Sequence, residues 1–418
     1  MGRSLVQLFL VLALTLGASG AYAQETAGLG ALLEEARSNN PEIRAIRERV
    51  KAFEARARAE GTLDDPVLAI ELEELDSDRP LAISPGDAMT TKYRLTQMLP
   101  FPGKLSLRKK IALKEAGAVK ADLRSRELGV LESVKEAYFN YSFLDESIRI
   151  TEEVKKLLQN MSSIAEAKYA TGQVSQQDVI KLNVEVTVLT NEIITLEAEK
   201  GVAAARIKSL LDRPQSSGFE TGGVLSKERV SIDIEKLINT AFAENPEIKS
   251  VQAEAEAEGF SAELAKKNYY PDFMVGVEPM QRDGRFDNFG VMFQMNIPIW
   301  RNKYDNLTKS AEATASSARA MVLSEMNAKA FEVKSAALQV EAAERMLTLF
   351  ETSLLPQTEL SLESALRNYQ SGKIDFLTLL DTERELKRVR IEYANTLTGY
   401  RKRVAALERV IGTDLIRL

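Results

Sequence analysis

The sequence contains no cysteine and no histidine in 418 residues. The first absence excludes disulfides, thiol nucleophiles and thiolate metal ligands, and the second excludes imidazole bases and most zinc or copper sites. Aromatic residues are scarce, at 6% with a single tryptophan. There is no excess of positive charge: 55 Lys and Arg stand against 61 Asp and Glu, and a net charge of −6 argues against a nucleic-acid partner. Apart from the first two dozen residues, no apolar run approaches the roughly 20 residues of a membrane-spanning helix. A hydrolase built on paired carboxylates would need a clustered motif, and none is visible. The reading is of a protein that is not an enzyme and that carries no cofactor or metal.

Residues 1–23 read as a signal peptide: Arg3 precedes an apolar run from Leu5 to Leu16, and Ala21-Tyr22-Ala23 supplies the small-residue cleavage site. No cysteine follows to carry a lipid, so an exported protein without an acyl anchor is expected. Spanning β-strands stay open, because about ten alternating residues leave little trace in hydropathy.

What the sequence does have is an internal repeat. "NNPEIRAI" at Asn39 returns as "ENPEIKSV" at Glu244, with Pro41 and Pro246 separated by 246 − 41 = 205 positions. A charged, Ala-rich helical segment follows each, then Pro66 and Pro271 open extended stretches, again 205 apart. "QMLPFPGK" at Gln97 corresponds to "QMNIPIWRNK" at Gln294, and "YATGQV" at Tyr169 to "YQSGKI" at Tyr369. The chain therefore divides into a first repeat over 24–211, a Pro/Gly/Ser-rich linker over 212–231, and a second repeat over 232–418. Each repeat is expected to run helix, helix, two strands, long helix, turn, long helix.

Between Leu105 and Tyr169 there is no proline and the composition is that of a helix on the order of 100 Å long. Its return partner shows a heptad seam, Leu182, Val186, Leu189, Ile193, Leu196, Lys200, Ala203, Ile207 and Leu210, with Lys200 as the one polar interruption. Leu386, Val389, Tyr393, Leu397, Tyr400, Val404, Leu407 and Ile411 keep a similar beat in the second repeat. The two Tyr-x-x-Gly turns thus close two long antiparallel hairpins, with Gly172 and Gly372 taking positive φ at their tips. Pro356 lies inside the second ascending helix and is expected to kink it.

Two β-hairpins, about 66–99 and about 272–297, alternate apolar and polar positions. A soluble sheet capping the helices is one reading of them. A membrane barrel is the other, favoured by strand lengths near 9–11 residues and by the polar connecting stretches "DSDRPLAISPGDAM" and "QRDGRFDN". Four strands cannot close in lipid, so on the second reading several chains share one barrel and the helices gather into a tube. The corner "LPFPGKLSLRKK" reads as a strand-to-helix bend. Contact of its basic run, Lys104 to Lys110, with lipid headgroups is compatible with that.

These landmarks, and above all "LLPQTELSLESALRNYQSGKIDFLTLLDTERELKRV" from Leu354, resemble the outer-membrane efflux proteins of the TolC family, most nearly its heavy-metal and cation branch. The resemblance implies a mainly α fold with a small β part. Long helical hairpins would form a trimeric α-barrel tunnel in the periplasm, joined to an outer-membrane β-barrel with four strands per chain. It implies a homotrimer in outer-membrane lipid, working with a periplasmic adaptor protein and a proton-driven inner-membrane transporter as a passive exit duct. The cargo would be heavy-metal or other cations, with drugs or a type I secreted polypeptide as the other duct cargoes. A soluble periplasmic coiled-coil scaffold is the alternative from a different class. Residue by residue, Tyr369 matches the family's gate tyrosine, Asp178 its acidic partner and Asp381 the inner acidic ring. Thr378 stands where the outer acidic ring is expected and Ile374 where the family has an arginine, so Lys373 is a candidate for the closing network. Asp178 can equally serve as a helix-capping residue. Gly172, Gln173, Gly372 and Lys373 at the tips are candidate adaptor-docking positions. The scattered methionines read as core residues.

Overall fold

The computed structural model describes residues 28–415 apart from 76–77, 79–82, 86–87, 173, 222–225 and 228–229. The expected signal peptide, most of the first hairpin's connecting stretch and Gln173 lie outside the described residues. The first half comprises α1 (Leu29–Asn39), α2 (Pro41–Ala59), β1 (Val67–Leu75), β2 (Ala88–Leu99), α3 (Lys104–Ala170) and α4 (Gln176–Leu210). The second comprises α5 (Ile234–Glu244), α6 (Pro246–Lys267), β3 (Phe273–Arg282), β4 (Arg285–Met295), α7 (Arg301–Leu349), a π-turn (Phe350–Leu354), α8 (Leu355–Gln370) and α9 (Phe376–Ile411).

The repeated Asn-Pro-Glu-Ile explains itself in bonds. Asn40 caps α2 by accepting from the backbone N–H groups of Glu42 and Ile43, and Asn245 caps α6 from Glu247 and Ile248. The proline after each asparagine fills a first-turn position where no N–H is needed. Each asparagine also donates its Nδ2 to the far end of its own repeat, to the Leu210 carbonyl at 2.9 Å and the Val410 carbonyl at 2.7 Å. Start and finish of each half are so fastened together.

Helix α3 runs 67 residues, about 100 Å, and α4 returns along it. The seam residues Leu182, Leu189, Ile193, Ala203, Ile207 and Leu210 are buried, with Val186 and Leu196 partly so. Lys200 interrupts the seam by reaching Asp145 and the ring of Tyr141 on α3. In the second half Leu386, Val389, Leu397, Tyr400, Val404, Leu407 and Ile411 are buried. Pro356 does not break the ascending helix. The chain instead widens into the π-turn, where the Leu355 N–H bonds the Phe350 carbonyl and the backbone absorbs the disruption just before the ring.

The four strands form one antiparallel sheet in the order β1-β2-β3-β4, the two halves meeting along β2 and β3. Pairing places Leu68, Leu95, Val277 and Val291 in one row on one face. All four are exposed, Val291 at 78%, and Ile70, Phe289 and Phe293 extend the same apolar surface. The other face carries a charged ladder: Arg94 meets Glu278 at 2.5 Å and Glu71 at 3.2 Å, and Lys92 pairs with Glu73. The stretch expected to loop out, "QRDGRFDN", is mostly strand. Pairing runs on to Arg282 opposite Arg285, and only Asp283 and Gly284 turn, both with positive φ, +46° and +78°. An Asp-Gly pair tolerates the left-handed conformation that a two-residue hairpin turn requires.

At the foot of the sheet the corner reading holds. Gly103 takes φ +95°, the Phe101 N–H donates to Asp272 at 2.7 Å, and Lys104 meets the same carboxylate at 2.8 Å. Lys104 is only 4% exposed, so it is a structural ion and not a headgroup ligand. Among the described residues no helix is long and apolar enough to cross a membrane.

Candidate functional site

The two hairpin tips are built alike. Gly172 and Gly372 have φ of +73° and +72°, and each donates its N–H to the carbonyl of the tyrosine three residues back, Tyr169 and Tyr369. Both glycines are exposed, as is Lys373. Three residues after each glycine a polar cap starts the descending helix. Ser175 accepts from the Asp178 N–H at 3.2 Å while its hydroxyl donates to the Asp178 carboxylate at 2.8 Å. On the second tip Asp375 accepts from the Thr378 N–H at 2.9 Å and from the Thr378 hydroxyl. Those bonds hold the Asp375 carboxyl below its ordinary range.

An apolar cluster of Leu158, Leu182, Leu189, Phe376 and Leu380 joins the two hairpins just behind the tips, and Tyr369 packs against it. Its ring meets Phe376 edge-on at 6.2 Å and lies 5.4 Å from the Lys168 ammonium. Burial, and then the negative charge of Asp178, push the Tyr369 hydroxyl above its ordinary value. The structure therefore brings Tyr369 and Asp178 into electrostatic reach, although the hydrogen bonds of Asp178 go to Ser175. Thr378 is bonded within the cap, Ile374 is half-buried, Lys373 is exposed at the tip, and the cation over the Tyr369 ring is Lys168.

Asp381 lies one turn further along α9, exposed, with its carboxylate 3.5 Å from Arg384. Arg384 also reaches across to α4, where its Nε donates to Glu185 at 3.1 Å. Lys387 pairs with Glu192 in the same manner one step along. These two rungs close a groove of about 580 Å³ between α4 and α9, floored by Phe143. In its wall Glu383, 4% exposed, has its carboxyl pushed up to about 7. Burial is the main cause, Glu185 adds to the rise, and Lys387, Arg384 and Arg390 oppose it. Sequence reasoning missed Glu185, Glu383 and Arg384. The one available signal was that Glu383 lies three residues before Leu386 and Glu185 three residues after Leu182, beside the apolar seams and not on the opposite helix faces.

Among the described residues there is no group of three or more His, Cys, Asp or Glu side chains that could hold a metal ion. The arrangement offers charged side chains at the tips and ion pairs and apolar contacts between the two hairpins.

Residues 32–211 and 237–413 match the family profile described as outer membrane efflux protein. This chain belongs to that family. The two matched segments fall one in each half of the chain, and membership places the protein in the outer membrane with its helices in the periplasm. Among characterised relatives, the cobalt-zinc-cadmium resistance protein CzcC of Cupriavidus metallidurans is 20% identical over 77% of either chain. The pyoverdine export outer membrane protein OpmQ of Pseudomonas putida is 21% identical over 92% of this chain and 85% of that one. The solved structure of the outer membrane protein VceC from Vibrio cholerae superposes with a TM-score of 0.76 at 18% identity, covering 93% of this chain and 96% of the other. This outer membrane efflux protein therefore has the fold of an outer-membrane channel subunit.

Proposed function

We propose that this protein is the passive exit duct of a tripartite export system, assembled as a homotrimer. The observation that carries the proposal is the sheet: four strands, apolar and exposed on one face and charged on the other, with β1 and β4 left as open edges. Open edges in hydrocarbon leave backbone N–H and C=O groups without partners, so copies must join edge to edge until the sheet closes. Three copies give a twelve-stranded barrel, within the range of known closed barrels. Beneath it, Ile180, Val184, Val188 and Ile194 make an exposed apolar stripe along α4, suited to a neighbouring copy's helices.

At the far end the tips act as the gate, with Asp178, Tyr369 and Asp381 in the constriction and Lys373 beside it. Adaptor docking is assigned to the tip positions Gly172, Gln173, Gly372 and Lys373, and the periplasmic adaptor links the duct to a proton-driven inner-membrane transporter. The cargo is a heavy-metal or other cation, a reading supported by the name of the CzcC relative and by the acidic tips. Export of a larger organic molecule is the second reading, favoured by the longer match to OpmQ. A soluble scaffold fits poorly with so large an apolar face.

Two measurements test the proposal. Cross-linking of the purified protein in detergent should give a ladder ending at three chains, with cation-selective steps in planar lipid. A ladder ending at one chain with no conductance would sink the duct. Deleting the gene and exposing the strain to cobalt, zinc, cadmium and organic toxicants separates the cargo readings.

A further inference from the structure

The apolar stripe on β4 does not stop with the strand. Phe289, Val291, Phe293 and Met295 are followed by Ile297 and Ile299, all exposed, and then by Trp300, the only tryptophan, at 73% exposure. Two cations come next, Arg301 and Lys303, both exposed. Along the chain the order is hydrocarbon-facing residues, an amphipathic indole, then positive charge. That is the order of depth in a membrane: acyl chains, interface, phosphate.

The two cations are held in place. The Arg301 guanidinium lies 5.7 Å from the centre of the Tyr269 ring, and the Lys303 ammonium 5.8 Å from that of Tyr304. The two rings are themselves 5.8 Å apart, so they form one platform for both charges. The Tyr269 hydroxyl is anchored to Asp305, which stabilises the platform. Among the described residues neither Arg301 nor Lys303 makes an ion pair within 4 Å, in contrast to Lys104, whose charge is consumed by Asp272 in the adjoining corner. Around the same rim Lys267 sits over Phe101 and Tyr270, themselves stacked at 4.4 Å.

We infer that Arg301 and Lys303, positioned by Tyr269 and Tyr304 beside Trp300, bind the phosphate of an anionic glycerophospholipid in the periplasmic leaflet. This rim joins the strands to α7, so it faces the periplasm, and the leaflet there is built of glycerophospholipids. The site is continuous with the membrane face of the sheet. Its unpaired charges complement a phosphate, while the indole occupies the glycerol level. The headgroup would fix the height of the barrel at the point where the long helices begin.

The test uses the full protein purified in detergent and titrated with phosphatidylglycerol or phosphatidylcholine in mixed micelles. Bound lipid is counted by native mass spectrometry and the melting midpoint is followed in parallel. Phosphatidylglycerol should bind and stabilise preferentially. The change Arg301→Gln with Lys303→Gln should weaken its apparent affinity about tenfold, as expected for losing two charges at a membrane surface, and leave phosphatidylcholine unaffected. The charge-keeping pair Arg301→Lys with Lys303→Arg should retain most of the preference. A glutamine pair with undiminished preference would overturn the inference. So would equal stabilisation by inorganic phosphate alone, which would reassign the site to a free anion.

Discussion

Asp178 and Thr378 occupy the same place in two copies of one turn, 378 − 178 = 200 residues apart, and between them acid and hydroxyl have changed places. In the first tip the hydroxyl is at the cap, Ser175, and the acid three residues on. In the second the acid is at the cap, Asp375, and the hydroxyl three residues on. Both arrangements bond the N–H of the third helical residue and set a carboxylate at the positive end of a helix. The second tip therefore also carries an acid, Asp375, which accepts from the N–H and hydroxyl of Thr378.

The caps can be told apart by substitution. Ser175→Ala should cost about 1 kcal/mol of local stability, the ordinary loss for a capping hydroxyl. Asp375→Asn should behave differently with pH. The Asp375 carboxyl is held below its ordinary value, so its contribution is complete above the usual carboxylate range and lost as pH falls through the folded value. Amide protection factors over 376–379 should therefore drop in acid in the native protein and stay level in the asparagine variant.

Much of this was legible in the sequence because it is written in periodicity and in turn chemistry. The duplicated Asn-Pro-Glu, the heptad seams and the two Tyr-x-x-Gly turns each have one dominant local cause, and each produced the element expected. The form taken at Pro356 and at "QRDGRFDN" has local causes too, a π-turn and an Asp-Gly turn that only the backbone geometry reveals. The contacts between hairpins were not legible. Arg384 and Glu185 are 384 − 185 = 199 residues apart, and nothing in either neighbourhood announces the other. The acid at the cap of α9 was hidden for a similar reason: position 378 drew attention, while the charge sits at 375.

Arg384 and Glu185 hold α9 to α4 just behind the tips. Glu185 is largely buried and Arg384 about half exposed, so removing the arginine leaves the costlier orphan. Arg384→Ala should destabilise by about 1–3 kcal/mol, and Glu185→Gln by less. The double change should cost less than the sum, with a coupling of roughly 1 kcal/mol read from a thermal double-mutant cycle. Additive costs would mean that the two hairpins are not fastened there.

Glu383 gives a pH dependence of the opposite sign from Asp375. Its carboxyl is raised from about 4.5 to about 7, so between these values the folded protein keeps a proton that the unfolded chain releases. Stability contributed by this group is complete below the ordinary value and lost as pH rises through 7. Glu383→Gln should match the native protein near pH 4 and exceed it above pH 7, by at most about 3 kcal/mol. Melting curves at pH 4.5 and 8 decide it: equal gains at both would place the effect in packing and not in charge.

Asp381 carries the sharpest functional prediction. It is exposed and, among the described residues, its ion pair is with Arg384 at 3.5 Å, a cation shared with Glu185, so most of its charge faces outward from the hairpin. In a closed assembly three copies would set three such charges around one mouth, and a ring of like charge in a narrow opening concentrates cations. Asp381→Asn should shift the reversal potential in a salt gradient toward zero, whereas Asp375→Asn, whose carboxylate is engaged by Thr378, should shift it less. Conductance steps of ordinary size with an unchanged reversal potential in Asp381→Asn would take that residue out of the constriction. The gate would then rest on Tyr369 and Asp178, where burial and not a charged ring controls passage.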